Sequence, residues 1–246
     1  MRYGVLIIAA VVAACSVQTS AQGAESVPDL ASVDRSEADR ALDASRRPAD
    51  VLDFAGIKRG DIVADYYAGQ GYYTALIAQL VGPKGKVYAL NPPSFIDGEA
   101  WDVLLGKNPN VMALTAPADS LHLAPGSVDV IFSHLVYHDL YWQSDKYNLP
   151  ALDVSGVASN WFAALKPGGH VVIIDHWGPP GDPRVIVDRL HRIDPAIVKA
   201  DMAEAGFVLE AESKMLQCSE DDQKKNVFDP AVRGRTSRFI LKFRRK

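Results

Sequence analysis

Residues Asp61–Pro92 read DIVADYYAGQGYYTALIAQLVGPKGKVYALNP. Asp61–Asp65 is a short apolar run ending on an acid, which predicts a buried strand. Gly69 and Gly71 stand close together in the turn that follows. Tyr72–Val81 carries its apolar residues in pairs, Tyr72/Tyr73, Leu76/Ile77 and Leu80/Val81. Such pairs make one helical face, and Gly82-Pro83 stops the helix. Lys86–Leu90 predicts a second strand ending at Asn91. Strand, glycine turn, helix and strand form a βαβ unit of the ~30 residues such a unit needs. Glycine lets backbone approach a ligand closely, and the helix from Tyr72 points free N–H groups at the same place. In open α/β sheets, ligands bind there, outside the carboxyl ends of the strands.

The chain has 246 residues, 48% of them apolar and 23% charged, enough for one large α/β domain and an appendage. A formal charge of −4 offers no basic field to nucleic acid. Met1–Ala24 reads as an export signal: Arg2 is a positive start, and Gly4–Ala14 is an apolar run too short to span a bilayer. Val12-Ala13-Ala14-Cys15 has the form of a lipobox, which would anchor the protein by lipid on Cys15. A cut near Ala21 is the other reading, releasing the protein to the periplasm. Either way Cys218 is the one thiol left for the folded part. Gln22–Pro28 is a small, polar linker. Val33–Ser45 predicts an exposed charged helix, and Ala49–Ala55 a short second one. Both are expected to lie beside the sheet, covering a ligand or capping an edge.

Downstream, a helix is expected over Phe95–Leu105 and strands over Val111–Leu114 and Val128–Ser133. Then comes the loop His134-Leu135-Val136-Tyr137-His138-Asp139-Leu140-Tyr141-Trp142. Val154, Val157, Ala158, Trp161 and Leu165 follow at helical spacing. Leu165–Gly169 reads as a turn and His170–Asp175 as a fifth strand. Asp182–Leu190 and the segment from Asp194-Pro195 to Gly206 predict helices opened by an acid and a proline. Phe207–Glu212 and Arg238–Phe243 are the last strands. The basic residues Arg233–Lys246 read as the charged protection of an edge strand.

Asp65, Gly69 and Gly71 resemble motif I of class I S-adenosylmethionine-dependent methyltransferases, D-x-G-x-G-x-G. Tyr67 stands where the first glycine usually is, as in the variant D-x-[FY]-[AC]-G-x-G of several nucleic-acid methyltransferases. Asn91 replaces the acid that usually grips the ribose. LKPGG, Leu165–Gly169, is a turn common in the same superfamily. GYYT, GPKGKVYA, YHDL, LKPGG, DH at Asp175-His176 and HRIDP at His191–Pro195 resemble a family of exported, uncharacterised bacterial predicted methyltransferases. GYYTALIAQLVGPKGKVYA also resembles protein-repair isoaspartyl methyltransferases. The resemblance covers about Arg46–Lys246 and implies a doubly wound, mostly parallel seven-stranded α/β sheet. It implies S-adenosylmethionine as cofactor, held by Asp65, Tyr67, Ala68, Gly69, Gly71, Tyr72, Asn91, Asp119, Ser133 and His134. Asn91-Pro92-Pro93 resembles the catalytic N-P-P-[YF] of amino-methyltransferases, but it follows the second strand and Ser94 replaces the aromatic.

Chemistry is expected at the ends of the fourth and fifth strands. Tyr137, His138, Asp139 and His176 are the catalytic candidates, with Asp175 and His191 nearby. Methyl transfer needs positioning, and sometimes a base for the acceptor's proton. A histidine oriented by a carboxylate suits that role, and His138/Asp139 and His176/Asp175 are neighbouring pairs. The same histidines and acids could hold a divalent metal; a polar pocket for a small-molecule substrate is the preferred reading, with no metal. An exported binding protein that keeps the fold without catalysis is the alternative.

Overall fold

The computed structural model describes residues 33–96 and 98–246. The expected export signal, Cys15 and the linker lie outside them. The chain runs α1 (Glu37–Ala41), α2 (Asp43–Arg46), α3 (Pro48–Ala55), β1 (Ile62–Tyr66), α4 (Tyr72–Val81), β2 (Lys86–Asn91), α5 (Gly98–Lys107) and β3 (Val111–Thr115). It continues through β4 (Val128–His134), α6 (Val154–Ala164), β5 (Leu165–His176), α7 (Pro183–Leu190), α8 (Pro195–Glu204), β6 (Val208–Ser213) and β7 (Arg238–Arg244).

The strands form one seven-stranded sheet in the order β3-β2-β1-β4-β5-β7-β6. β3, β2, β1, β4 and β5 are parallel, and β7 is antiparallel to both β5 and β6. This is the doubly wound, mostly parallel seven-stranded α/β sheet that the resemblance implied. Winding goes outward from β1 to β3, then returns to β4 on the other side of β1. The carboxyl ends of β1 and β4 therefore flank the switch point where open α/β sheets take ligands.

The apolar residues of the strands alternate between two cores. Val63, Val87, Val130, Phe132, Val172, Ile174 and Ile240 pack with Val51 and Leu52 of α3 and Leu76 and Ile77 of α4. Ala64, Ile131, Val171, Ile173 and Leu241 pack with Trp161 of α6, Val187 of α7 and Met202 of α8. A sheet covered on both faces reads as near-continuous apolar runs, which is why VVII in β5 is unbroken.

The structure corrects four expectations. β7 is not an edge strand but lies between β5 and β6. Phe239 and Phe243 face one core and Ile240 the other, so both of its faces are buried. Its basic residues are engaged too: Lys242 and Arg244 pair with Glu210 on the true edge strand, β6. Leu165–Gly169 is not a free turn but the first part of β5, with a register shift against Val128–Val130. The helix expected from Phe95 starts at Gly98, because Pro92-Pro93 set a 3-10 turn, Pro93–Phe95. Val33–Ser45 is two short helices rather than one exposed helix. Arg35 is buried there, bidentate to Asp43 at 2.8 Å.

Candidate active site

Gly69 and Gly71 have φ of +58° and +81°, a region open to glycine. The turn is clamped from behind. Gly69 N–H donates to Asn91 Oδ1 at 2.8 Å, and Trp101 Nε1–H donates to the Gly69 carbonyl at 3.0 Å. The two glycines differ in what they face. A Cβ on Gly71 would stand 2.3 Å from Leu104 Cδ1, so the end of that side chain on α5 would have to shift. A Cβ on Gly69 would meet no atom of the described residues within 4 Å, so Gly69 faces open space among them.

The residues expected to hold a cofactor divide in two. Asn91 is fully buried and committed to the turn by its amide, not presented to a ligand. Asp65 accepts from Thr74 Oγ1 at 2.6 Å, and burial pushes its carboxyl up to about 7. Ala68 is held by backbone bonds to Leu90 and Gly71. The Tyr72 hydroxyl donates to Asp43, and Arg46 lies over its ring at 4.3 Å. Tyr72 thus fastens α2 over α4. Asp119 stays exposed on the 3-10 turn Ala118–Ser120. By contrast, Tyr67 Oη, Ser133 Oγ and His134 Nε2 are buried with no hydrogen-bond partner among the described residues. Burial holds the His134 imidazole neutral, well below its ordinary value, with Arg46 and Arg238 adding to the shift.

A cavity of about 530 Å³ runs from Ser94 and Phe95, after β2, to His176 at the end of β5. Its volume suits a small molecule. Phe95 stands edge-on to Tyr67 of the turn, rings 5.5 Å apart, which joins the cavity to the switch point. His138, Asp139 and His176 line its floor.

The floor is wired differently from the sequence neighbours. Asp175 does not pair with the His176 ring. Its Oδ1 lies 2.8 Å from His138 Nδ1, 37 residues away, and its oxygens accept from the backbone N–H of His138 and His176. Asp139 Oδ1 lies 3.4 Å from His138 Nε2, so the imidazole sits between two carboxylates. Burial alone would lower the His138 pKa; Asp175 and then Asp139 outweigh it and raise it to about 9. Burial raises Asp139 to about 6, against the pull of His138. His176 bonds Thr236 Oγ1 through Nδ1 at 2.7 Å and is kept neutral, first by burial and then by the His138 charge.

Tyr137 does not line this cavity. It is buried away from the cavity on Trp161, and its hydroxyl donates to Asp201 at 2.8 Å. The 3-10 turn His138–Tyr141 sends His138 to the cavity and leaves Tyr137 in the core. Thr236, Trp142, Tyr147 and Phe228 belong to the site and were not selected from sequence. Only Trp142, inside the unusual loop, carried a signal. Among the described residues no group of three or more His, Cys, Asp or Glu is arranged to hold a metal.

The sheet and its flanking helices have the class I methyltransferase-like fold. Residues 65–173 match the family model described as a methyltransferase domain. The chain is 31% identical over 166 residues to the arsenite methyltransferase of Halobacterium salinarum, covering 65% of this chain and 38% of that protein. It is 28% identical over 134 residues to the ubiquinone/menaquinone biosynthesis C-methyltransferase of Pasteurella multocida, covering 54% of this chain and 46% of that one. The chain thus spans less than half the length of these curated relatives. A SAM-dependent methyltransferase from Aquifex aeolicus superposes with a TM-score of 0.57 at 22% identity, covering 85% of this chain and 97% of that one. The 1,6-didemethyltoxoflavin-N1-methyltransferase of Burkholderia thailandensis, solved with bound 1,6-didemethyltoxoflavin and S-adenosylhomocysteine, gives 0.54 at 15% identity, covering 85% of this chain and 79% of that one. These structures share the fold.

The residues present fit S-adenosylmethionine. Orphaned polar atoms on Tyr67, Ser133 and His134 lie at the ends of β1 and β4, beside a glycine that faces open space. A buried polar atom without a partner wants a ligand or water to satisfy it.

Proposed function

We propose that this protein transfers a methyl group from S-adenosylmethionine to a small-molecule acceptor. The observation that carries the reading is the Gly69 turn at the switch point, joined through Tyr67 and Phe95 to a cavity floored by His138 and Asp139. The backbone at Gly69, the first N–H groups of α4, and Tyr67, Ser133 and His134 would hold the cofactor. When bound, it supplies an electrophilic methyl group on a sulfonium. The protein's own part is to position the acceptor and take its proton. His138 does not suit the base role, because both ring nitrogens face carboxylates and the ring is charged at neutral pH. Asp139, at about 6, is ionised at neutral pH and lines the cavity, so Asp139 is the base and His138 its charged neighbour.

An arsenic acceptor is disfavoured by the donor set. Soft arsenic would want thiolates, and Cys218 lies with Trp177 and Ser237 in a separate groove. The first residues favour an exported protein, freed to the periplasm or anchored through Cys15. Binding of S-adenosylhomocysteine to the full chain, with Gly69→Asp to fill the open space, tests the cofactor.

A further inference from the structure

The acceptor end of the cavity rests on the reading above and narrows it. Beyond Phe95 the walls are rings. Trp142 stands edge-on to His191 at 4.7 Å between centroids, Tyr147 is 5.5 Å from Trp142, and Phe228 is 5.1 Å from His191. Rings grouped in this way suit a flat, apolar guest. Among the described residues no lysine or arginine lines the cavity, and the His138 imidazolium there already lies between the Asp175 and Asp139 carboxylates, which leaves it little charge to offer a carboxylate or phosphate on the acceptor. The Asp139 carboxylate has one charged partner, His138 Nε2 at 3.4 Å, which is long for a hydrogen bond. It retains acceptor capacity for a donor on the guest. A cationic guest would meet the His138 imidazolium beside that carboxylate. A neutral hydroxyl would not, and the oxygen anion it becomes would gain from that same imidazolium.

We propose that this cavity takes an uncharged aromatic acceptor and presents its ring hydroxyl to Asp139. In the reacting step the acceptor's O–H bond breaks and its proton passes to an Asp139 carboxylate oxygen. The electron pair stays on the acceptor oxygen, which bonds the methyl carbon as the carbon–sulfur bond of the sulfonium breaks with its electrons to sulfur. Burial supports the assignment by holding Asp139 near 6, ionised at neutral pH yet basic enough to receive a proton.

The test is calorimetry on the full chain with S-adenosylhomocysteine present, using naphthol, methoxynaphthalene, naphthoate and naphthylmethylammonium as probes. Naphthol is expected to bind tightest, by about tenfold over the ether, which is what a hydrogen bond to a charged group is worth. Naphthoate is expected to bind weakest. Asp139→Ala should erase the preference of naphthol over its ether, and Phe228→Ala should weaken both alike. The wild-type ranking decides by itself if a variant fails to fold. Naphthoate or naphthylmethylammonium binding tightest would overturn the proposal, as would a naphthol preference that survives Asp139→Ala. Binding of S-adenosylhomocysteine without naphthol would overturn the acceptor alone; binding of neither would overturn the methyltransferase reading beneath it.

Discussion

Asp175 chooses its partner by reach, not by sequence. It precedes His176 yet bonds the His138 ring, because β5 ends beside the 3-10 turn that follows β4. Replacing it should show both effects of the pair. Asp175→Asn should bring the His138 pKa down from about 9, read by NMR of the imidazole. Stability should fall by about 3–5 kcal/mol in urea unfolding, the usual cost of breaking a buried pair. The sign with pH follows from the direction of the shift. His138 is raised in the fold, so the stability it supplies is full below its ordinary value of 6.5 and is lost as pH rises through about 9. Catalysis should show a bell. Asp139, flanked by His138, Asp175 and the buried Tyr67 phenol, must be ionised, so the rate rises with pH through about 6. His138 must keep its proton, so the rate falls through about 9. Asp139→Asn should lose the acid limb and about 10²–10⁴-fold in turnover. Neutral His176, held well below its ordinary value by burial, should add no limb to the profile between these values.

At the scale of elements, α4 and its glycine turn are the most legible part of the chain. The expected span Tyr72–Val81 is the observed helix. Local chemistry decides it: paired apolar residues, a glycine before and Gly82-Pro83 after. What Gly71 faces was not legible, because α5 comes from 27 or more residues on and reaches back through Trp101 and Leu104. Gly71→Val is therefore expected to disturb the packing of α5. Its Cβ would enter α5, so Gly71→Val should lower the melting temperature by several degrees, an effect of about 1–3 kcal/mol for overpacking. Gly69→Ala should cost only the left-handed strain of about 1–2 kcal/mol. Circular dichroism melts of the two variants check the contrast. The segment between β6 and β7 is the least legible. It supplies Thr236 and Phe228 to the site, and a buried clasp holds it: Arg192 pairs bidentately with Asp221 at 2.8 and 3.0 Å and bonds the Lys225 carbonyl. Nothing periodic in the segment announced that long-range contact.

For the whole molecule, the sheet was legible because each parallel strand is a continuous apolar run with its own stop. The place of β7 was not, since a basic tail looks the same on an edge as between two strands when its charges are paired. The floor of the site was half legible. Strand ends could be read, and so His138, Asp139 and His176 were placed at one end of the sheet. Which carboxylate meets which ring depends on turn geometry, and so the Asp175–His138 pair and the withdrawal of Tyr137 into the core emerged only from the fold. The export reading belongs to this scale too. In a Gram-negative host the protein should fractionate outside the cytoplasm without its first residues, and intact Met1 in the soluble cytoplasm would contradict it. Mass spectrometry of Cys15 separates the lipid-anchored form from the free one.

The central claim is that the Gly69 turn holds S-adenosylmethionine, and calorimetry of the full chain with S-adenosylhomocysteine tests it most directly. One saturable site is predicted, abolished by Gly69→Asp. At about 100 times its dissociation constant the ligand should stabilise the fold by about 2.7 kcal/mol, or about 5–10 °C in Tm. No heat of binding and no thermal shift at millimolar ligand, from protein that unfolds cooperatively, would contradict the account.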